Sequence, residues 1–302
     1  MTLTKNLFCF LIFIITMIGF PADSQRNIKS ESRKKVIFIA SVDSHPKGQH
    51  EYNGGISFLA QKLKQAMPDI DTAVFHNGWP KNPNALQDAS TIVIFSEGAQ
   101  GHIIIPHLSE IENLMNKGTG LVMLHFTLEI PKGPDADKVR DLVGGYFETD
   151  WSVNPFWTPD VKKLPHHPTT NGVKPFAVQD EWYYHIRFVK DMKNITPILE
   201  VLPPDSTLSR PEGTHTNNQF VKEAVLKNKE PQIIAWAYER PAGGSGFGFT
   251  GGHTHANWKN DNFRMLVLNS ILWTARIKVP KNGIRTKTPE LEELDKLTKP
   301  VQ

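Results

Sequence analysis

Apolar residues in this chain fall into short unbroken runs, separated by stretches in which they recur every three or four positions. Val36 to Val42 (VIFIASV) is such a run, β-branched and apolar, and reads as a buried strand. Thr72–Phe75, Thr91–Phe95 (TIVIF) and Gly120–His125 (GLVMLH) repeat the signal, and Pro197–Val201, Ile233–Tyr238 and Gly246–Thr250 add three more strands. Between the first two, Ile56, Leu59, Ala60, Leu63 and Met67 recur at helical spacing after Gly54-Gly55 and before Pro68. A second helix is predicted over Pro106–Lys117, with Leu108, Ile111, Leu114 and Met115 on one face and Gly118 ending it. A third spans Asp261–Arg276 behind an N-cap, Asn260. Continuous apolar strands alternating with amphipathic helices predict an α/β fold whose parallel sheet is covered on both faces. After about residue 145 the rhythm breaks. Residues 146–175 are rich in Pro, Trp and Asn, and form a long excursion too aromatic for disorder.

One apolar run does not belong to that rhythm. Lys5 precedes Leu7–Phe20 (LFCFLIFIITMIGF), and the small residues Ala22 and Ser24 follow. A charged start, a short apolar core and a small-residue site read as a secretory signal peptide over residues 1–24, with an uncleaved anchor as the alternative. The run is shorter than the roughly 20 residues a membrane span needs. An exported protein, periplasmic or extracellular, is therefore expected, with no membrane attachment once the signal is cleaved. Residues 25–34 are a polar linker and 278–302 a polar tail, leaving 35–277 as the folded domain. The single cysteine, Cys9, lies inside the signal. The mature chain then has no disulfide, thiol nucleophile or cysteine-ligated zinc. A formal charge of +3, with basic residues scattered, gives no nucleic-acid footprint.

In an open α/β sheet, ligands bind where loops leave the carboxyl ends of the strands. The first strand is followed by Ser44-His45-Pro46-Lys47-Gly48-Gln49-His50-Glu51, the third by Ser96-Glu97-Gly98 and then His102. The fourth is followed by His125 and Glu129, and the last by Gly251-Gly252-His253-Thr254-His255-Ala256-Asn257-Trp258. The segment Gln179–Arg187 adds Glu181 and His185. Of 12 histidines, His45, His50, His102, His125, His185, His253 and His255 lie in these segments. One such histidine is ordinarily a hydrogen-bonded structural residue. Recurrence at equivalent strand ends points to a metal site, a proton-transfer site or both. Asp180 and Glu181 are adjacent, so in extended chain they face opposite ways, and Glu181 is the candidate that enters the site. Trp151, Asn154 and Trp157 are candidates for a wall that stacks on a sugar ring, and Arg187 for binding a hydroxyl-rich or anionic ligand. Gly246-Phe247-Gly248-Phe249-Thr250-Gly251 matches GxGxxG in form, but its alternating Phe reads as strand and no helix opens there. No nucleotide cofactor is expected.

The segments SHPKGQHEYNGG, GLVMLHFTLE, DWSVNPFW, DEWYYHIRF and GFGFTGGHTHANW together resemble the ThuA-like, trehalose-utilisation family of the class I glutamine amidotransferase-like superfamily, over about residues 35–277. The resemblance implies a flavodoxin-like, doubly wound, mainly parallel sheet with helices on both faces. It also implies a departure: the strand that ends in a nucleophilic cysteine in amidotransferases ends here in Leu124-His125, while the later histidine loop persists as His253. Glutaminase activity is not expected. The resemblance marks His125, Glu181, Tyr184 and His253 as catalytic candidates. It links the chain to disaccharide catabolism, including routes through 3-keto sugars. His50, His102 and His125 are the candidate ligands of a divalent metal such as zinc, and His255 and Asn257 join the candidates for binding a small carbohydrate. Two functions are consistent with this: a hydrolase or lyase acting on a sugar, or a non-catalytic carbohydrate-binding or scaffold protein.

Overall fold

A computed structural model of the protein describes residues 33–298. The expected signal peptide and most of the linker lie outside the described residues. Seven strands form the central sheet: β1 (Lys35–Ala40), β2 (Asp71–Phe75), β3 (Thr91–Phe95), β4 (Gly120–Leu124), β5 (Ile195–Val201), β6 (Gln232–Glu239) and β7 (Ser245–Phe249). Their order is β2-β1-β3-β4-β7-β6-β5. The first five in that order are mutually parallel, and β6 pairs antiparallel with both β7 and β5. All seven coincide with the apolar runs. The first run extends to Val42, but the strand stops at Ala40, and Val42 is exposed.

Side-chain alternation divides the core in two. Val36, Phe38, Val93, Phe95, Val122 and Leu124 face helices α1 (Tyr52–Ala66) and α4 (Asp261–Thr274). Ile37, Ile39, Ile92, Ile94, Leu121 and Met123 face α2 (Leu108–Asn116) and α3 (Pro134–Val143). Helices on both faces of a mainly parallel sheet make the doubly wound fold. The hydrophobic pattern does not predict α3, whose apolar stripe is only Ala136, Val139, Leu142 and Val143. Its signals are Pro134 in the first turn and Gly144, with φ +95°, at the end. The glycines of β7 are explained by packing: a Cβ at Gly248 would lie inside the Trp236 ring, and one at Gly246 against the Val143 backbone.

Asn260 caps α4, its side chain accepting from the backbone N–H groups of Asn262 and Phe263. Asn260→Ala is expected to lower stability by about 1 kcal/mol, read as an earlier midpoint in urea unfolding with an unchanged slope.

The excursion folds over the carboxyl edge of the sheet as two short antiparallel pairs, Gly145–Tyr146 with Arg187–Phe188, and Phe156–Trp157 with Asp180–Glu181. Beyond residue 277 the chain stays packed. Ile284 and Leu294 are buried, and α5 (Leu291–Leu297) lies against α1. Among the described residues no helix is long and apolar enough to cross a membrane.

Candidate functional site

Four groups from four separate segments meet beyond the ends of β1, β4 and β7. His50 sits on the loop entering α1, His125 immediately after β4, His253 on the loop after β7, and Glu181 on the excursion. His50 Nε2 lies 3.0 Å from His125 Nε2 and 2.8 Å from His253 Nδ1. Glu181 Oε2 lies 3.5 Å from His125 Nε2 and 3.2 Å from His253 Nδ1. The four ligand atoms all fall within 4.8 Å of one another. All three histidines are buried.

Local backbone explains the placement. His125 has φ +51°, unusual for a non-glycine residue, and opens a tight turn over His125–Leu128. This is a sharp strand-to-helix elbow of the kind that holds nucleophiles above such sheets, here occupied by imidazole. His253 follows Gly252, whose φ of +122° turns the chain toward the cluster. The His253 carbonyl accepts from the His50 N–H at 2.9 Å, tying the two loops together. Asp180, wholly buried, accepts from the backbone N–H groups of Gly252 at 2.7 Å and Thr254 at 3.0 Å, which fixes the His253 loop.

The outer hydrogen bonds set the tautomers. His125 Nδ1 lies 2.7 Å from the Thr250 carbonyl, which can only accept, so Nδ1 carries the proton and Nε2 the lone pair. His50 Nδ1 lies 2.7 Å from the Tyr52 hydroxyl, which donates onward to Glu97 at 3.3 Å. That leaves the His50 Nε2 lone pair also facing inward. Two lone pairs 3.0 Å apart repel unless a proton or a cation lies between them. Burial and the neighbouring imidazoles His125, His253 and His45 push the His50 pKa far below the usual imidazole range, so it stays neutral. Burial would raise the Glu181 carboxyl, but a proton shared with His125 or His253 outweighs it and holds the carboxyl at about 2. The cluster is thus a carboxylate beside three imidazole nitrogens, and two of the rings, His125 and His50, are oriented from their far sides by the Thr250 carbonyl and the Tyr52 hydroxyl, as metal-binding histidines are. A tetrahedron with bonds near 2.1 Å has edges of about 3.4 Å, and the spacings here bracket that value. His253 Nε2 is buried without a partner among the described residues.

Alternation sorts the remaining candidates. Tyr183 shares a face with Glu181: its hydroxyl is 3.1 Å from His125 Nε2 and its ring stacks on the His125 ring. Tyr184 faces the other way, bonds Thr207 at 2.7 Å and takes no part in the cluster. Phe156 pairs opposite Glu181 and Trp157 opposite Asp180. So the exposed Phe156 stands edge-on to His253, with centroids 4.8 Å apart, whereas Trp157 is buried and donates to the Trp182 carbonyl. Asn154 reaches the site, donating to Glu181 Oε1 at 3.1 Å. His45 covers the outer side of His50.

His102 lies outside. Its Nε2 donates to the Thr127 carbonyl and its Nδ1 accepts from Ile104 N–H, so neither nitrogen can bind a metal. Arg187 and Trp151 form a separate stack: the guanidinium lies over the indole and pairs with both oxygens of Glu148, and His185 stacks on the same indole. His255 is buried against α5 beside the Leu294 carbonyl. Asn257 donates to the Gln179 carbonyl and lines, with Phe156 and Thr254, a cleft of about 400 Å³ beside His253. A larger cleft of about 490 Å³, between Lys138, Tyr238 and Arg240, opens at the opposite edge of the sheet and holds none of the four groups.

No curated protein matches the sequence. Among solved structures, a ThuA-like protein from Bacteroides uniformis superposes with a TM-score of 0.54 at 16% identity, covering 85% of this chain and 95% of its own. A ThuA-like protein from Parabacteroides merdae gives 0.50 at 15% identity, covering 80% of this chain and 90% of its own. At such identities the likeness is one of fold. The family model described as ThuA, trehalose utilisation, matches residues 40–274, most of the chain and all four segments of the cluster, and the protein belongs to that family.

Proposed function

We propose that this protein is a metal-assisted hydrolase or lyase that acts on a disaccharide or keto-glycoside, without glutaminase activity. The observation that carries the reading is the pair of inward lone pairs on His50 and His125, 3.0 Å apart, beside an ionised carboxylate. Membership of a trehalose-utilisation family supplies the substrate class. His50, His125 and His253 would hold a divalent ion such as zinc through nitrogen, leaving the Glu181 carboxylate free to take a proton. When bound, such an ion supplies Lewis acidity toward a carbonyl or leaving oxygen.

The chain's own groups do the rest. Glu181 accepts a proton from the attacking water or from a carbon beside the keto group. Asn154 holds the other oxygen of that carboxylate, which fixes the direction of the accepting lone pair. The Tyr183 hydroxyl points into the same space and is a donor for a substrate oxygen. Its burial raises its pKa well above the usual phenol value, so it stays protonated. Phe156, exposed beside His253, is an apolar platform for a sugar ring. Export to the periplasm or beyond belongs to this proposal, on the strength of the Leu7–Phe20 run, and N-terminal sequencing of the secreted protein tests it.

The functional test is metal analysis of the purified protein combined with a turnover screen of disaccharides and their 3-keto derivatives. One equivalent of zinc or a related ion, with turnover abolished by a chelator and restored by metal, is the expected result. Tight sugar binding with neither metal nor turnover would replace this reading with that of a carbohydrate-binding protein.

A further inference from the structure

A second imidazole–carboxylate pair lies on the rim of the same site. Glu129 follows the turn that begins at His125 and is almost wholly buried. Its Oε1 accepts from His215 Nε2 at 2.7 Å and from the Thr149 hydroxyl at 3.3 Å. His215 comes from the loop between β5 and β6. It has φ +66° and a side chain about one-third exposed. With Nε2 committed to Glu129, its Nδ1 is turned away from the carboxylate, and no described residue bonds it.

The loop is tied to the four-group cluster by two routes. Along the polar one, the His215 carbonyl accepts from Asn154 N–H at 3.0 Å and from Arg210 at 3.1 Å. Arg210 also donates to Asn154 Oδ1, and Asn154 donates to Glu181. Along the aromatic one, His215 lies against Phe147, Phe147 against Tyr183, and Tyr183 on His125, with centroids 5.4, 5.0 and 4.5 Å apart. A residue held in a left-handed conformation persists where its surroundings over-determine it, and such residues gather at functional sites.

We propose that His215, oriented by Glu129, is the proton donor to the departing oxygen of the glycoside bound at the His50–His125–Glu181–His253 site. This rests on the hydrolytic reading above. The glycosidic C–O bond breaks with its electron pair passing to the leaving oxygen, which takes the Nδ1 proton of the His215 imidazolium. Water forms the new C–O bond and gives its proton to Glu181. Exchange with solvent returns a proton to His215 and removes one from Glu181, so both groups are restored. The carboxylate of Glu129 favours the charged form of His215, whose pKa lies above the usual imidazole value for that reason. It therefore plays the orienting role that a carboxylate plays behind a catalytic histidine.

The test uses the metal-loaded full chain with aryl glycosides, and their 3-keto derivatives, whose leaving phenols span a range of acidity. His215→Gln is expected to slow cleavage of the phenyl glycoside by roughly 10²–10⁴-fold and to leave the dinitrophenyl glycoside nearly unaffected, because a good leaving group needs no proton. Glu129→Gln should give the same pattern with smaller losses, and metal content should be unchanged in both. A loss of equal size across the series would mean that the pair only holds the loop, and would overturn the proposal, as would no loss at all. A metal-loaded wild-type protein that cleaves none of these glycosides would overturn the hydrolytic reading itself, and this inference with it.

Discussion

His125→Asn should, on the metal-assisted reading proposed above, abolish metal binding at the cluster and lower turnover by at least 10²–10⁴-fold, the range that loss of a principal catalytic group produces. His125 Nε2 is the most connected atom of the cluster, within 3.5 Å of His50, Glu181 and Tyr183. Asparagine is chosen because it tolerates the left-handed φ of +51° at this elbow, where alanine would add backbone strain to the loss of the ligand. Metal stoichiometry and turnover are the measurements, with circular dichroism to verify the fold. His102→Asn is the matched control. Its imidazole is just as buried but is bonded to Thr127 and Ile104, so that variant should lose stability and keep its metal. A full complement of metal in His125→Asn would mean that His50, His125 and His253 are not the ligand set.

Asp180→Ala should have the largest effect on stability, about 3 kcal/mol or more. The carboxylate is wholly buried and accepts from three backbone N–H groups, those of Glu181, Gly252 and Thr254, at 2.9, 2.7 and 3.0 Å. Each hydrogen bond to a charged acceptor is worth about 1.5–3 kcal/mol, and removing the acceptor leaves buried donors without partners. The three are coupled through one residue, so their contributions will not simply add. Urea unfolding gives the value directly, as a fall in midpoint at constant slope. Asp180→Asn, which keeps one acceptor oxygen, should lose less. The folded fraction of Asp180→Ala should also bind metal more weakly, because the loop that carries His253 is no longer fixed.

The sequence carried the sheet well because a strand buried on both faces is an unbroken apolar run, and Val36–Ala40, Thr91–Phe95 and Gly120–Leu124 are such runs. Helix α3 escaped because half its surface is polar and its signals, Pro134 and Gly144, lie at its ends. At the site, the strand-end rule picks out His50, His125 and His253, but it cannot tell them from His102, whose two nitrogens are taken by the Thr127 carbonyl and the Ile104 N–H. The two-residue period separates Glu181 from Asp180. The same period separates Tyr183 from Tyr184, so the tyrosine beside His125 is legible once Glu181 is assigned. Phe156 and Trp157 are different: which of them reaches the site depends on their register against Asp180–Glu181, and no single-strand pattern contains that register. His215 has no local signal at all. It lies in a polar stretch, Pro211–Asn218, and only the three-dimensional course of the loop brings it to Glu129.

Helix α5 has a bearing on how firmly the loops of the site are held. Asp295 pairs with Lys47 on the loop that carries His50, Glu293 with the buried Lys62 of α1, and Glu290 with Lys259 just beyond the His253 loop. Two of the four loops that build the cluster are therefore joined to α5 by ion pairs, directly or at their margin. The Lys47–Asp295 and Lys259–Glu290 pairs are exposed enough to be screened by salt, whereas Lys62 is buried, so α5 grips the loops of the cluster less firmly as ionic strength rises while its own seat on α1 holds.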